Sequence, residues 1–268
     1  FGSVQGIQKF GKRVAGNIRW RKLCKKYPLV HSQEIQNNKK NYFSSEKIVV
    51  YTSIFGNYDQ VAEPLFCPDN CEFVIITDNE VPGESKWERY DLSRLDNSFN
   101  KLTNVQKNRY CKMLPFRLFP EVKYTVYVDG NIQPVSDFTQ FINVPMKYGI
   151  AFHNHKARNS VYQEADACKT LKKASSDDIN ELVVYLRDNR FPDKYGMVEC
   201  NMIVRNNACE TMKKVMQEWW EQFNTHKVKR DQLTLPYVCW KNNIHISDIA
   251  VLGENIDDNC AVRFVGHH

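Results

Sequence analysis

Short apolar runs alternate with stretches of helical spacing along most of this chain. Residues 48–53, 73–77, 123–128, 148–152 and 201–205 are rich in Val, Ile, Phe and Tyr and predict strands; residues 87–92 predict a short extended segment. Residues 104–118 predict a helix kinked at Pro115, and 138–141 a brief helix or turn. Residues 160–173 and 179–188 predict two helices, the second started by Ser175-Ser176-Asp177-Asp178. Residues 208–223 place Met212, Val215, Met216 and Trp219 on one side of an amphipathic helix. Residues 231–240 predict another helix that tolerates Pro236, and 244–268 shorter strands and loops. Near the start, Val4, Ile7, Phe10, Val14, Ile18 and Leu23 recur at helical spacing among basic residues until Pro28, and residues 31–46 are a polar linker. Strand–helix alternation predicts an α/β fold with a mainly parallel sheet.

Charge changes the picture by dividing the chain. The formal net charge is +6, but residues 1–47 carry eleven Lys/Arg against two Asp/Glu, and the rest carries 26 against 29, a net −3. The expected organisation is a basic, partly helical arm over residues 1–46 and a folded body over 47–268. The arm fits contact with an anionic membrane surface or a nucleic acid, and equally a solvated helix. No apolar run reaches the length of a membrane span. The chain starts at Phe1 without a typical signal peptide, as a processed or truncated protein would, and His267-His268 read as native or as a tag remnant. As it stands it fits a cytoplasmic or membrane-peripheral place; a truncated piece fits the secretory-pathway lumen. Nine cysteines include no CxxC pair; Cys67 and Cys71 are spaced for a local disulfide, and the others read as reduced thiols.

Candidate chemistry collects at predicted strand ends. The strand over 123–128 runs into Asp129-Gly130-Asn131, where a carboxylate and a carboxamide two apart fit one hard cation shared with nucleotide phosphates. A plain strand-ending turn is the competing reading. Thr52 and Ser53, Asp78, and His153 with His155 close three other strands, so one crevice at the strands' carboxyl edge would gather them. There is no GxGxxG and no GxxxxGK[ST], which argues against a dinucleotide enzyme or a P-loop ATPase.

Six pieces in order carry a resemblance: VVYTSIFGNYD, CEFVIITDN, NRYCKMLPFRLFPEVKYTVYVDGNIQ, FHNHKARNSVYQEADAC, ECNMIVRNN and KRDQLTLPYVCW. Over roughly residues 47–245 the chain resembles the glycosyltransferase-like domains of the TOD1/MUCI70 type, which are similar to GT-A glycosyltransferases of family 8. The resemblance implies a GT-A-like (Rossmann-like) α/β fold, with a mixed, mainly parallel sheet flanked by helices. It implies a nucleotide-sugar donor, UDP-sugar favoured, with Mn²⁺ or Mg²⁺, and a glycan, glycoprotein or lipid acceptor. The family's DxD motif would be Asp129-Gly130-Asn131, with the second carboxylate replaced by an amide, and His267 the late third metal ligand. His153 and His155 would be alternative ligands or touch the acceptor. Thr52, Asn57 and Tyr58 would form the nucleoside pocket, with the Tyr58 ring on the base, and Asp78 would meet base or ribose. Arg109 and Lys112, three apart on one helix face, would face the donor. Lys156 and Arg158 beside His155 would stabilise the leaving diphosphate, with Tyr162 and Glu164 orienting the sugar or capping a helix. Glu199 and Asn201 would contact the sugar, with Asp231 and Gln232 at donor or acceptor. In an inverting reaction Asp231 is the first choice of general base; in a retaining one Asp231 or Glu199 would stabilise the oxocarbenium-like centre. A non-catalytic nucleotide-sugar or glycan-binding relative is the second reading, and a nucleic-acid-binding protein acting through the basic arm ranks last.

Overall fold

The computed structural model describes residues 46–58, 60–144 and 146–265. The expected arm, apart from Glu46, and the candidate ligand His267 lie outside the described residues. Eight strands are described: β1 (Ile48–Ile54), β2 (Cys71–Thr77), β3 (Glu88–Arg89), β4 (Tyr124–Val128), β5 (Ile132–Pro134), β6 (Ile150–Asn154), β7 (Val198–Asn206) and β8 (Val262–Phe264). Six form one sheet in the order β3-β2-β1-β4-β7-β6, and β5 pairs with β8 in a separate antiparallel ribbon. β1 is parallel to β2 and β4, β2 is parallel to β3, and β7 is antiparallel to both β4 and β6. This is the expected mixed, mainly parallel α/β sheet with flanking helices.

Every residue of β1 is buried because both faces of the sheet are covered. Side-chain alternation sends Ile48 and Val50 into one core with Phe73, Ile75, Val126 and Val128. Val49 and Tyr51 enter the opposite core with Val74, Ile76 and Tyr127. Helices α1 (Asn104–Met113), α4 (Glu210–Thr225) and α5 (Leu235–Lys241) roof that second core through Met113, Met212, Val215, Met216, Trp219, Leu235 and Val238. Between α1 and α4 in sequence come α2 (Val161–Thr170) and α3 (Ser176–Asp188), which pack on each other through Val161, Ala165, Ile179, Leu182 and Leu186. None of the described helices is long and apolar enough to cross a membrane.

The start of α1 is fixed locally. The Thr103 hydroxyl accepts the Gln106 N–H at 3.3 Å, and the Thr103 N–H donates to Gln106 Oε1 at 3.1 Å, a reciprocal capping box. Its end is fixed by Pro115, which offers no N–H and disfavours helical geometry in the residue before it. Leu114 accordingly leaves the helix at φ −116°, ψ 53°, and a separate turn restarts at Pro115–Leu118. The single kinked helix expected over 104–118 is therefore two pieces. Likewise the helix expected over 231–240 is a 3-10 turn, Asp231–Leu233, followed by α5, because Pro236 suits only a helix's first turn. The extended segment at 87–92 shortens to β3, paired with β2 over two residues. Cys67 and Cys71 are free thiols, Cys71 buried at the start of β2 and Cys67 exposed.

The reversed strand matters most for position. Because β7 runs against its neighbours, its first residues lie at the edge where β1, β2, β4 and β6 end. The Asp129 N–H donates to the Asn201 carbonyl at 2.8 Å, and Glu199 stands opposite His153. Trp219, fully buried on α4, donates its indole N–H to the Asp231 carbonyl at 2.9 Å and ties the core to that edge. Truncating Trp219 to Ala is expected to lower the unfolding free energy by about 3–5 kcal/mol. Val105→Ala, on the exposed side of α1, should stay within about 0.5 kcal/mol; urea titrations of both variants compare them.

Candidate active site

At this edge lies a cleft of about 350 Å³, within the range of small-molecule sites. Its floor comes from the end of β4 (Asp129) and the start of β7 (Glu199, Cys200, Asn201). Its walls come from α1 (Arg109, Lys112), the turn after β6 (His155 to Arg158), α2 (Glu164) and the segment before α5 (Arg230 to Gln232), with Lys173 at the rim. Six cationic side chains face four carboxylates, a local net +2. Residues 48–268 as a whole are net −3. The cleft is therefore a positive spot on an otherwise slightly acidic body, an arrangement that concentrates anions.

The centre is a buried charge cluster. Lys112 Nζ lies 2.7 Å from Asp231 Oδ2 and 3.3 Å from Asp129 Oδ1, with the lysine side chain only 2% exposed. Arg109 Nε lies 3.2 Å from the same Asp231 oxygen. The Arg109 and Lys112 contacts to Asp231 are charge contacts, since neither Arg109 Nε nor Asp231 Oδ2 makes an aligned hydrogen bond. Burial alone would raise the Asp231 pKa, but Arg109, Lys112 and Arg230 hold it far below the usual carboxylate range. Asp231 in turn raises the Arg109 pKa against the opposing effect of burial. The Lys112 ammonium also sits 5.2 Å over the Tyr127 ring.

A second cluster lies across the cleft. His155 Nδ1 accepts the N–H groups of Ala157 (3.2 Å) and Arg158 (3.1 Å), so the ring proton is on Nε2, 3.5 Å from Glu164 Oε2. Arg158 Nε donates to the same Glu164 oxygen. Burial pushes the Glu164 pKa up, but His155 and Arg158 reverse this and lower it to about 2. Lys156 pairs with Asp257 at 2.8 Å. Glu199 behaves oppositely. Burial raises its pKa, only partly offset by the Ile256 N–H that its Oε2 accepts at 3.1 Å and by Lys156 and His155.

Of the residues singled out in sequence, Arg109, Lys112, Asp129, His155, Lys156, Arg158, Glu164, Glu199, Asn201, Asp231 and Gln232 meet in this cleft. Others stand elsewhere. Thr52 is buried on the face that carries Val50, and its hydroxyl has no hydrogen-bond partner. Asn57 and Tyr58 lie on the exposed loop after β1, Asn57 at φ 54°. Asp78 accepts the Gly56 N–H through both oxygens (3.0 and 3.2 Å), pinning that loop. Gly130 packs on Ile54, whose Cδ1 lies 2.6 Å from where a Cβ would sit, and the Asn131 carbonyl accepts the Val265 N–H. Tyr162 donates to the Phe191 carbonyl at 2.8 Å, a structural bond on α2. His153 is fully buried, with Nε2 3.0 Å from Asn259 Nδ2, and does not line the cleft. Burial lowers its pKa to about 4. Arg230 and Lys173 were missed. Arg230 precedes the Asp231 already singled out, and Lys173 follows a left-handed turn at Lys172 (φ 51°) that no pattern in the chain announces.

The donor set for a divalent ion is sparse. Asp129 supplies one carboxylate, already facing an ammonium, and Asn131 a carboxamide; His267 is outside the described residues. Among the described residues no three His, Cys, Asp or Glu side chains converge as a metal cage. Among the described residues, then, Asp129 and Asn131 do not by themselves make a metal centre.

The sequence model of one family, described as "TOD1/MUCI70, glycosyltransferase-like domain", matches residues 26–264. No curated protein matches the chain. Among solved structures, the chain is similar to the apo bifunctional glycosyltransferase WbbM, with TM-score 0.43 and 16% identity over 79% of this chain and 39% of that one. It is similar to the galactosyltransferase LgtC in complex with donor and acceptor sugar analogues, with TM-score 0.36 and 9% identity over 70% of this chain and 69% of that one. It is also similar to the apo glycosyltransferase GlyE of Streptococcus pneumoniae TIGR4, with TM-score 0.38 and 8% identity over 74% of this chain and 44% of that one. The chain thus spans less than half the length of WbbM and of GlyE.

Two outcomes follow from the electrostatics. Asp231→Ala leaves Lys112 and Arg109 without their shared partner and is expected to cost about 3–5 kcal/mol of stability. Asp166→Ala, which removes an exposed pair with Lys169, should cost less than about 1 kcal/mol. Acid sensitivity has a separate origin. Unfolded, His153 takes a proton near its ordinary 6.5; folded, it does so only near 4. Between those values the unfolded chain binds more protons, so stability falls as pH falls. Denaturation at pH 7, 5.5 and 4.5 should show a slope that His153→Asn flattens; an unchanged slope refutes the assignment.

Proposed function

Because the chain belongs to the TOD1/MUCI70 family of glycosyltransferase-like domains, we propose that it moves a sugar from a nucleotide-sugar donor to a hydroxyl of a glycan, protein or lipid, in the cleft at the end of β4. One observation carries this reading: a net-positive cleft at the carboxyl edge of the sheet, containing carboxylates of two opposite electrostatic kinds. A diphosphate suits the cations, and a sugar's hydroxyls suit the Glu164, Asn201 and Gln232 side chains.

The chemistry follows from the charges. As the bond between the sugar's C1 and the donor's phosphate oxygen breaks, its electron pair stays on that oxygen. Fixed cations of the lining meet the charge, without reorganising at the moment of reaction. The acceptor oxygen forms the new bond to C1 and loses its proton. Asp231 is a poor acceptor for that proton, since three cations hold its pKa far down. Glu199, whose pKa burial raises, is the better general base. The role first given to Asp231 therefore passes to Glu199, and Asp231 anchors Arg109 and Lys112.

The donor is open to direct test, with a UDP-sugar the first to try. Nucleotide release from UDP-, GDP- and CMP-sugars, with and without Mn²⁺ or Mg²⁺, is expected to single out one donor class. Glu199→Gln should then lower kcat by about 10²–10⁴-fold while donor binding holds. Binding without turnover across all donors would instead favour a non-catalytic nucleotide-sugar-binding protein.

A further inference from the structure

We propose that the counter-charge for the donor's diphosphate is built into the protein as the Lys112 ammonium, so that nucleotide binding does not depend on a divalent cation. This rests on the donor reading above and goes beyond it, since that reading fits a metal-bridged donor equally well.

The geometry points to Lys112 in three ways. Its ammonium lies beside the carboxylate that ends β4, 3.3 Å from Asp129 Oδ1, where a bridging cation would have to bind. An ammonium has three N–H donors. One donates to Asp129, Asp231 is held by a charge contact, and the side chain lines the cleft, so a donor remains that can meet a phosphate oxygen. A divalent ion on Asp129 would share that carboxylate with a positive charge. Its affinity depends on the negative charge its ligands bring, and Asp129 with Asn131 brings one charge that Lys112 already balances. The lining as a whole is net +2 and needs no added cation to hold an anion.

The ammonium is also held in place from behind. Arg205, fully buried on β7, donates through Nη1 to the Lys112 carbonyl and through Nη2 to the Tyr51 hydroxyl at 2.7 Å. Tyr51 in turn donates to the Cys111 carbonyl at 2.9 Å. Two carbonyls in the last turn of α1 are thus tied to the sheet, which fixes where the lysine stem begins. This cation is covalently part of the fold.

Calorimetric titration of the full chain with inorganic pyrophosphate and with UDP, in EDTA and in Mn²⁺, tests this. UDP is expected to bind in EDTA within about threefold of its affinity in Mn²⁺. Lys112→Gln should weaken both ligands in EDTA by at least about tenfold. Asp129→Asn separates the two schemes without removing the lysine. A metal bridge would lose UDP on that change, whereas a lysine-held diphosphate is kept or bound more tightly. If UDP binds only once Mn²⁺ is added, the proposal fails while the donor reading stands. If pyrophosphate binds in EDTA and no nucleoside diphosphate does, the lysine site stands and the donor reading falls. If nothing binds under either condition, both fall. The wild-type comparison decides even if Lys112→Gln does not fold.

Discussion

A lysine ammonium whose side chain is only 2% exposed has to be matched by negative charge, and Lys112 is matched by two carboxylates from distant parts of the chain. Asp129 ends the central strand, and Asp231 opens the turn before α5. Removing Lys112 or Asp231 leaves an uncompensated buried charge, so the elements that carry them must arrive together. The apolar core makes them arrive. The capping box at Thr103 sets where α1 begins and hence which face Arg109 and Lys112 present. Arg205 and Tyr51 tie down its last turn, and the Trp219 indole holds the Asp231 carbonyl. Packing and chemistry share the same residues here.

The same environment sorts the carboxylates into roles. Asp231 and Glu164 are each clamped by cations or by a histidine N–H, and both pKa values are low. Glu199 has a backbone amide and more distant positive charges, and burial wins. Within one cleft the acidic groups thus differ: cations and a histidine N–H favour the ionised forms of Asp231 and Glu164, while burial makes the Glu199 carboxyl easier to protonate than an ordinary one. Residue type alone could not assign those roles, because all of them are simply Asp or Glu until their neighbours are known.

How much was legible follows from which physical signals are local. The strand into Asp129 and the shared helix face of Arg109 and Lys112 are properties of adjacent residues, and period two and period 3.6 reveal them. The direction of β7 is not local, since an apolar run reads the same whether its strand lies parallel or antiparallel to its neighbours. Yet that reversal is what carries Glu199 and Asn201 to the cleft. His153 and His155 look equivalent in HNH; the first lies within β6, whose residues 150–153 are all buried, whereas β6 ends at Asn154 and the second lines the cleft. The loop at Asn57 and Tyr58 depends on left-handed turns at Gly56 and Asn57 and on the Asp78 bond to Gly56, a tertiary contact. Arg230 and Lys173 were invisible for the same reason.

Asn131 connects these points. In a site that depends on a metal, exchanging the second carboxylate of a DxD pair for an amide weakens the ion's hold. Here that side chain follows a carboxylate whose charge an internal ammonium already matches. On the proposed donor reading, a further carboxylate at position 131, two residues beyond Asp129, would add negative charge beside the strand end that is to meet a diphosphate. The backbone at Asn131 has its own task, accepting the Val265 N–H that continues the β5–β8 ribbon. On that reading the amide at Asn131 and the buried Lys112 belong to one electrostatic balance: a protein that supplies its own cation has less need of acidic ligands at the strand end.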